Sequence, residues 1–289
     1  SCSRNSKSHL LDMKIIKELA PVYAAYDGGW ESYPFEISIL YAFLRRTFEL
    51  GPLHVDTLQN LYRLSNIYAH ELFGCYDSEF ALAGFRICIF AFKEHPEIEE
   101  LARIRCRTSL ASVLIEKGEH SEAKEVLKEA IVLADACEQV SRHEMVSILQ
   151  SLAECIKKLD EYDIAAAVYE RIRNFQEAVS RGPELFDTLL ELIYSYNRIG
   201  QAAQVHTYSQ RVLWEIDWVE DPNPLREATA IKAYELQLYE FAEQILNDIL
   251  SHTKPFEPIA GRAVQMLINV YDSTGRTELA SKLKTPFKG

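Results

Sequence analysis

The stretch from Ser109 to Leu133, SLASVLIEKGEHSEAKEVLKEAIVL, constrains this chain more than any other. Its order of Leu110, Ala111, Leu114, Gly118, Ala123, Leu127 and Ala130 places large, small and turn residues where two short helices fold back on each other. Ala111 and Ala123 are small where the helix axes must approach closely. Gly118 stands where the first helix has to stop in a left-handed conformation. One such hairpin cannot bury both of its apolar faces, so the pattern has to recur for the chain to be stable.

It does recur. Repeats begin near positions 13, 58, 104, 146, 186, 223 and 261, at spacings of roughly 37 to 46 residues. Between them stand turn signals at Asp27-Gly28-Gly29, Gly51-Pro52, His95-Pro96, Arg181-Gly182-Pro183 and Asp221-Pro222-Asn223-Pro224. Polar residues Ser141 to Glu144 read as one short connection, and Asp56 or Thr57 as the cap of the second repeat. No useful run of strand alternation interrupts the helical period. The expectation is an all-α chain, an α-solenoid winding a right-handed superhelix from about seven helical hairpins. It is one domain over 1–289, with tails at 1–12 and 285–289.

Composition narrows the task. With 43 acidic and 31 basic residues the formal charge is −12, which argues against a general nucleic-acid binder, because phosphate attraction needs a cationic surface. Six cysteines (Cys2, Cys75, Cys88, Cys106, Cys137, Cys155) show no CxxC and no metal-type spacing, and read as reduced core thiols of an intracellular, cytoplasmic protein. The start, SCSRNSKSHLLDMKII, lacks an apolar h-region, and no uncharged apolar run of 18 residues occurs, so neither export nor membrane insertion is expected. There is no HExxH, GxSxG, GxGxxG or Walker-type run. No catalytic residue, metal or cofactor is expected.

The succession of Leu, small residue, Tyr or Leu, Gly, aromatic and Ala resembles the tetratricopeptide repeat. The early repeats are similar to a longer, kinesin-light-chain-like variant abundant in fungal proteins. They carry Leu19-Ala20, Tyr23, Gly28 and Trp30, then Leu50-Gly51-Pro52-Leu53-His54-Val55-Asp56-Thr57-Leu58, where Leu-Gly-x-x-His-x-Asp-Thr-Leu is that variant's connector. Departures occur at Tyr33 and Glu79, where the pattern has Ala, and at Gln237, which takes the turn position usually held by Gly. The resemblance implies a scaffold for protein-protein interaction, in which the first helix of each hairpin lines a concave groove.

That register puts Tyr62 and Asn66, Arg105 and Ser112, Glu154, Lys157 and Lys158, Tyr194, Asn197 and Arg198, Tyr234, and Asn269 on the groove wall. The amides Asn66, Asn197 and Asn269 can hold an extended peptide by its backbone. Arg105, Lys157, Lys158 and Arg198 put positive charge in an acidic protein, which points to an acidic or carboxylate-bearing protein or peptide partner. The Lys/Asn carboxylate clamp of some tetratricopeptide domains is not reproduced, since Tyr62, Asn66, Thr108 and Ser112 stand at its positions. Two alternatives keep their place: an enzyme or carrier with a small-molecule pocket lined by Tyr62, Tyr194, Asn197, Arg198 and Tyr234, and a peptide-sensing regulator. His120, at the post-turn position held by Trp30, Tyr76 and Tyr162 in other repeats, reads as a packing residue rather than a catalytic one. The run from Trp214 to Asp221 reads as a helix end that folds its tryptophans beneath a cap, with a partner-binding edge as the minority reading.

Overall fold

A computed structural model describes residues 55–69, 78–178, 183–219, 221–254 and 256–284. The expected first hairpin near position 13, Trp30, the connector residues 50–54, the Gly74/Tyr76 turn and the tails lie outside the described residues. The described residues form twelve α-helices and no strand. None of these helices is long and apolar enough to cross a membrane. Among the described residues no group of three or more His, Cys, Asp and Glu side chains is placed to hold a metal ion.

The helices fall into two compact units that divide between Leu159 and Asp160. The first contains α1 (Val55–Ala69), α2 (Ser78–Ala91), α3 (Glu100–Glu116), α4 (His120–Ala136) and α5 (Arg142–Lys158). The second contains α6 (Tyr162–Glu177), α7 (Pro183–Arg198), α8 (Ala202–Asp217), α9 (Pro222–Glu235), α10 (Tyr239–His252), α11 (Pro258–Ser273) and α12 (Thr277–Lys284). Within their units α2, α4, α8 and α10 each pack both on their own hairpin partner and on the first helix of the next hairpin, while α6 packs on α7 and α12 on α11. This is the neighbour-to-neighbour stacking that lets one amphipathic hairpin complete the core of another.

The turns explain the register. Gly118, Gly200 and Gly275 have φ of 78°, 74° and 73°, and the equivalent turns are made by Asp160 (φ 58°) and Gln237 (φ 59°). Around Gly118 the Glu119 N–H donates to Leu114 O at 2.8 Å and the Gly118 N–H to Ile115 O at 2.9 Å. Gly200, Gln237 and Gly275 make the same crossed pair of bonds, which satisfies carbonyls the helix end would otherwise leave open. Five residues past four of the five turns stands a buried alanine, Ala123, Ala165, Ala242 or Ala280. Ala111 is fully buried as well, so both small residues of the Ser109–Leu133 stretch sit at helix crossings.

Gln237 carries a Cβ where the backbone disfavours one. Gln237→Gly should stabilise the second unit by roughly 0.5–1 kcal/mol, because relief of about 1–2 kcal/mol of left-handed strain outweighs glycine's added unfolded-chain entropy. In a thermal melt this appears as a midpoint rise of about 1–3 °C. An unchanged or lower midpoint would mean that the left-handed turn costs this chain nothing.

Two local readings are corrected. Ser141 is not part of a connection but the N-cap of α5, its hydroxyl accepting from the Glu144 N–H at 3.1 Å. Ser-Arg-His-Glu is the S-x-x-E signature of a helix start, so the helix begins where a polar run reads as a loop. Helix α1 is described over Val55–Ala69, so the backbone places Asp56 and Thr57 inside it rather than ahead of it. The described cysteines behave as core thiols: Cys88, Cys106 and Cys155 are buried, Cys137 half-buried, and all four free. Burial pushes the Cys155 thiol up to about 11, beyond ready ionisation.

Candidate functional site

In the first unit the expected wall residues divide into packed and presented. Asn66 is packed: its Nδ2 donates to Tyr62 O at 2.9 Å, and its Oδ1 accepts from the Ser109 hydroxyl at 3.0 Å, tying α1 to α3. Tyr62 is half-buried, with its ring 6.0 Å from that of Phe85. An amide already spent on a neighbouring helix is a joint between hairpins. Arg105 is exposed but occupied, since its Nε donates to Glu144 Oε1 at 3.0 Å. Ser112 and Lys157 are half-buried, while Glu154 and Lys158 are exposed near the end of α5.

The second unit assembles a more definite constellation. Tyr162 opens α6 and Tyr194 stands in the last turn of α7, which packs against α6. Their rings meet edge to face, 5.6 Å apart, with the two hydroxyls at 3.5 Å. The Tyr162 hydroxyl also donates to Asp160 Oδ1 at 2.9 Å. Hydrogen bonding to Tyr194 leads, ahead of burial and the Asp160 bond, in holding the Tyr162 phenol above its ordinary range, so this hydroxyl stays a neutral donor.

Arg198, one turn beyond Tyr194, lays its guanidinium over the Tyr162 ring, 4.7 Å from the centroid. It is exposed, and among the described residues no carboxylate lies within ion-pair distance of it. Two arginines nearer the starts of other first helices differ from it. Arg105 is held by Glu144, and Arg262 on α11 by Glu227 on α9, through Nη2 to Oε2 at 2.8 Å and a second, shorter contact. The Arg262 guanidinium correspondingly lowers the Glu227 carboxyl below its ordinary range. Arg198 thus rests on an aromatic face, its in-plane N–H donors meeting no acid among the described residues.

The other wall residues of this unit flank that centre in sequence order. Asn197 is exposed beside Arg198. Tyr234 on α9 shares a hydrogen bond with the Ser273 hydroxyl at 3.0 Å and meets Tyr239 edge to face at 5.7 Å. Asn269 on α11 is exposed, its Oδ1 accepting from Gln265 Nε2 at 3.5 Å. Sequence reasoning missed Tyr162 as a member of the site. The signal was present, because stacking brings the start of one second helix against the end of the next first helix.

No protein-family model matches the sequence, and no curated protein matches it. Solved structures do. The apo form of RapI is 16% identical, with 84% of this chain and 86% of that one covered at a TM-score of 0.50. A putative kinesin light chain with nearly identical TPR-like repeats from Podosopora anserina is 16% identical over 80% of this chain and 92% of that one, at 0.44. The apo quorum sensor NprR from B. thuringiensis is 16% identical over 87% and 70%, at 0.46. Left-handed turns between paired helices, a buried alanine after most of them, and the likeness to RapI show a tetratricopeptide-like helical-repeat fold.

Proposed function

We propose that this protein is a non-catalytic interaction module whose first-helix face binds an extended peptide or protein segment, and that Arg198 is the anchor for a carboxylate of that ligand. The observation that carries this reading is the Arg198 guanidinium, stacked on Tyr162 and without an acidic partner among the described residues, while Arg105 and Arg262 each have one. Stacking fixes the plane of the guanidinium and leaves its edge open, the geometry that receives a carboxylate through two parallel hydrogen bonds. Little ordering is left to be done at the moment of binding. Asn197 and Asn269 supply exposed amides that can pair with a peptide backbone without reading its sequence. Peptide sensing is a special case of this reading, and no separate observation favours it.

The experiment is selection from a random peptide display library on the full chain, followed by affinity measurement with the enriched peptides. Acidic peptides should emerge. Arg198→Glu should weaken them by about tenfold or more, since a charge-assisted pair contributes about 1.5–3 kcal/mol and the reversed charge adds repulsion. If nothing is enriched, or if the enriched peptides bind the Arg198→Glu protein as tightly as wild type, the proposal fails.

A further inference from the structure

A second surface of the second unit, built by the second helices of its hairpins, has a different character. The sequence run Trp214-Glu215-Ile216-Asp217-Trp218-Val219 covers the last turn of α8 and the residues that end it, with Trp218 as the C-cap. A tryptophan after the helix end has no neighbouring turn to cover it. Trp218 is 72% exposed, Trp214 44% and Val219 40%, and the two indoles meet edge to face at 5.7 Å. They are not tucked beneath a cap, contrary to the reading from sequence.

Beside them α8 and α10 enclose a groove of about 530 Å³, lined by Gln210, Trp214 and Asp217 on one wall and Gln244, Asn247 and Asp248 on the other. Every ionised side chain lining it is a carboxylate. The balancing cation lies beneath: Arg226 is only 6% exposed, with Nη2 at 2.6 Å from Asp217 Oδ1 and Nε at 2.7 Å from Asp248 Oδ2. One guanidinium against two carboxylates leaves an excess negative charge at the groove, and the buried guanidinium holds both acids in place. Asp217 keeps most of its surface open and Asp248 a third. Arg211 already covers the Trp214 ring at 5.4 Å, whereas among the described residues no cation stacks on Trp218.

We infer that this groove docks a basic, amphipathic segment of a partner protein, with its apolar side chains on Trp214 and Trp218 and its Lys or Arg heads on Asp217, Asp248 and the open Trp218 ring. Charge complementarity selects that occupant. Exposed paired tryptophans mark an interface, indole rings are favoured anchors, and a cation over an indole adds to both. A second copy of this chain is disfavoured by its net charge of −12. The surface is distinct from the Arg198 face and takes a ligand of opposite charge, so either proposal can fail without the other.

The test uses the full chain and two fluorescently labelled probes, a short amphipathic Leu/Lys peptide and its Leu/Glu counterpart, followed by anisotropy at physiological ionic strength. The Leu/Lys peptide should bind through this groove, whereas any binding of the Leu/Glu peptide belongs to the Arg198 face and should be unchanged by Trp218→Ala. Trp218→Ala should weaken binding about tenfold and Asp217→Asn about threefold, with helical circular dichroism unchanged, because both side chains are mainly exposed. Arg198→Glu should leave the Leu/Lys affinity within twofold of wild type. The inference is overturned if the Leu/Lys peptide does not bind, whatever the Leu/Glu peptide does. It is equally overturned if Trp218→Ala binds the Leu/Lys peptide as wild type does, which would reveal general attraction to an acidic chain. A dimer in solution that Trp218→Ala dissociates would assign the groove to self-association and overturn it too.

Discussion

Gly84→Val should destabilise the first unit by about 2–3 kcal/mol, as expected for overpacking a close helix contact. Gly84 lies midway along α2, where α1 approaches without room for a side chain. A Cβ added there would stand 2.0 Å from Ser65 Oγ, 3.2 Å from Ser65 Cβ and 3.5 Å from Leu61 Cδ1. Ser65 is itself fully buried, with its hydroxyl donating to Leu61 O at 2.8 Å. Rotating that hydroxyl away therefore breaks a satisfied bond, and it still leaves Ser65 Cβ too close. Helix propensity alone would favour replacing Gly84, by about 1 kcal/mol for alanine and by roughly a few tenths for valine, so a loss of stability isolates the packing term. Ser65→Gly should recover part of the loss from Gly84→Ala in a double-mutant cycle, because the two residues compete for one space. Gly84→Val with an unchanged urea midpoint would mean that α1 and α2 do not cross there.

What the sequence discloses of this protein follows the range of the interaction involved. Gly118, Gly200 and Gly275 are legible as left-handed turns, and Gln237 as the substitute in one of them, because a helix stop is dictated by the residue at the turn itself. Ala123 and its equivalents are legible for the same reason, as they stand at a fixed distance from those turns. Gly84 is harder, since a glycine inside a helix reads only as a weak helix former until the crossing partner is known. The same limit governs the site. Arg105, Lys157, Lys158 and Arg198 look alike in sequence. Arg105 is taken by Glu144, 39 residues away, and Arg198 rests on Tyr162, 36 residues earlier. Which cation has an acid and which has a ring is decided by hairpin stacking. Asn66 misleads in the same way, because its use between α1 and α3 depends on Ser109, 43 residues on. The tryptophans of α8 mislead in the other direction: an apolar residue near a helix end is usually covered, and Trp218 is not.

Glu170→Leu should destabilise the second unit by about 2–3 kcal/mol, the scale of stripping buried donors of their acceptor, discounted because a quarter of the Glu170 side chain meets solvent. Glu170 on α6 joins three groups from three helices. Its Oε1 accepts from the Tyr196 hydroxyl of α7 at 3.0 Å and, in a shorter bond, from the Tyr208 hydroxyl of α8, while Oε2 lies 3.0 Å from Arg173 Nη2. Arg173 Nη1 donates in turn to the Tyr208 oxygen at 2.8 Å, and the Tyr196 and Tyr208 rings stack 5.8 Å apart within 5° of parallel. Leucine fills the space but takes the carboxylate acceptor from both phenols and the nearest acid from the Arg173 guanidinium, which keeps the Tyr208 oxygen and Asn174 Oδ1. The arrangement is repeated further on, where Tyr271 donates to Glu243 Oε1 at 3.0 Å and Arg276 pairs with Glu243 Oε2 at 2.7 Å. Burial first, and the Glu170 bond second, push the Tyr196 phenol up to about 12 and hold Tyr208 above its ordinary range too; burial and Glu243 act on Tyr271 in the same direction. Unfolded phenols ionise near pH 10, so above that pH the unfolded chain has released protons the folded chain still holds. This stabilising contribution is therefore complete below about pH 10 and is lost as pH rises toward about 12, the value for Tyr196. Urea midpoints measured at increasing alkaline pH should fall in wild type and fall less steeply in Glu170→Leu. Some slope survives there, because burial remains when the carboxylate is gone. A Glu170→Leu protein as stable as wild type, or one with the same alkaline slope, would show that these helices are held by their apolar faces alone.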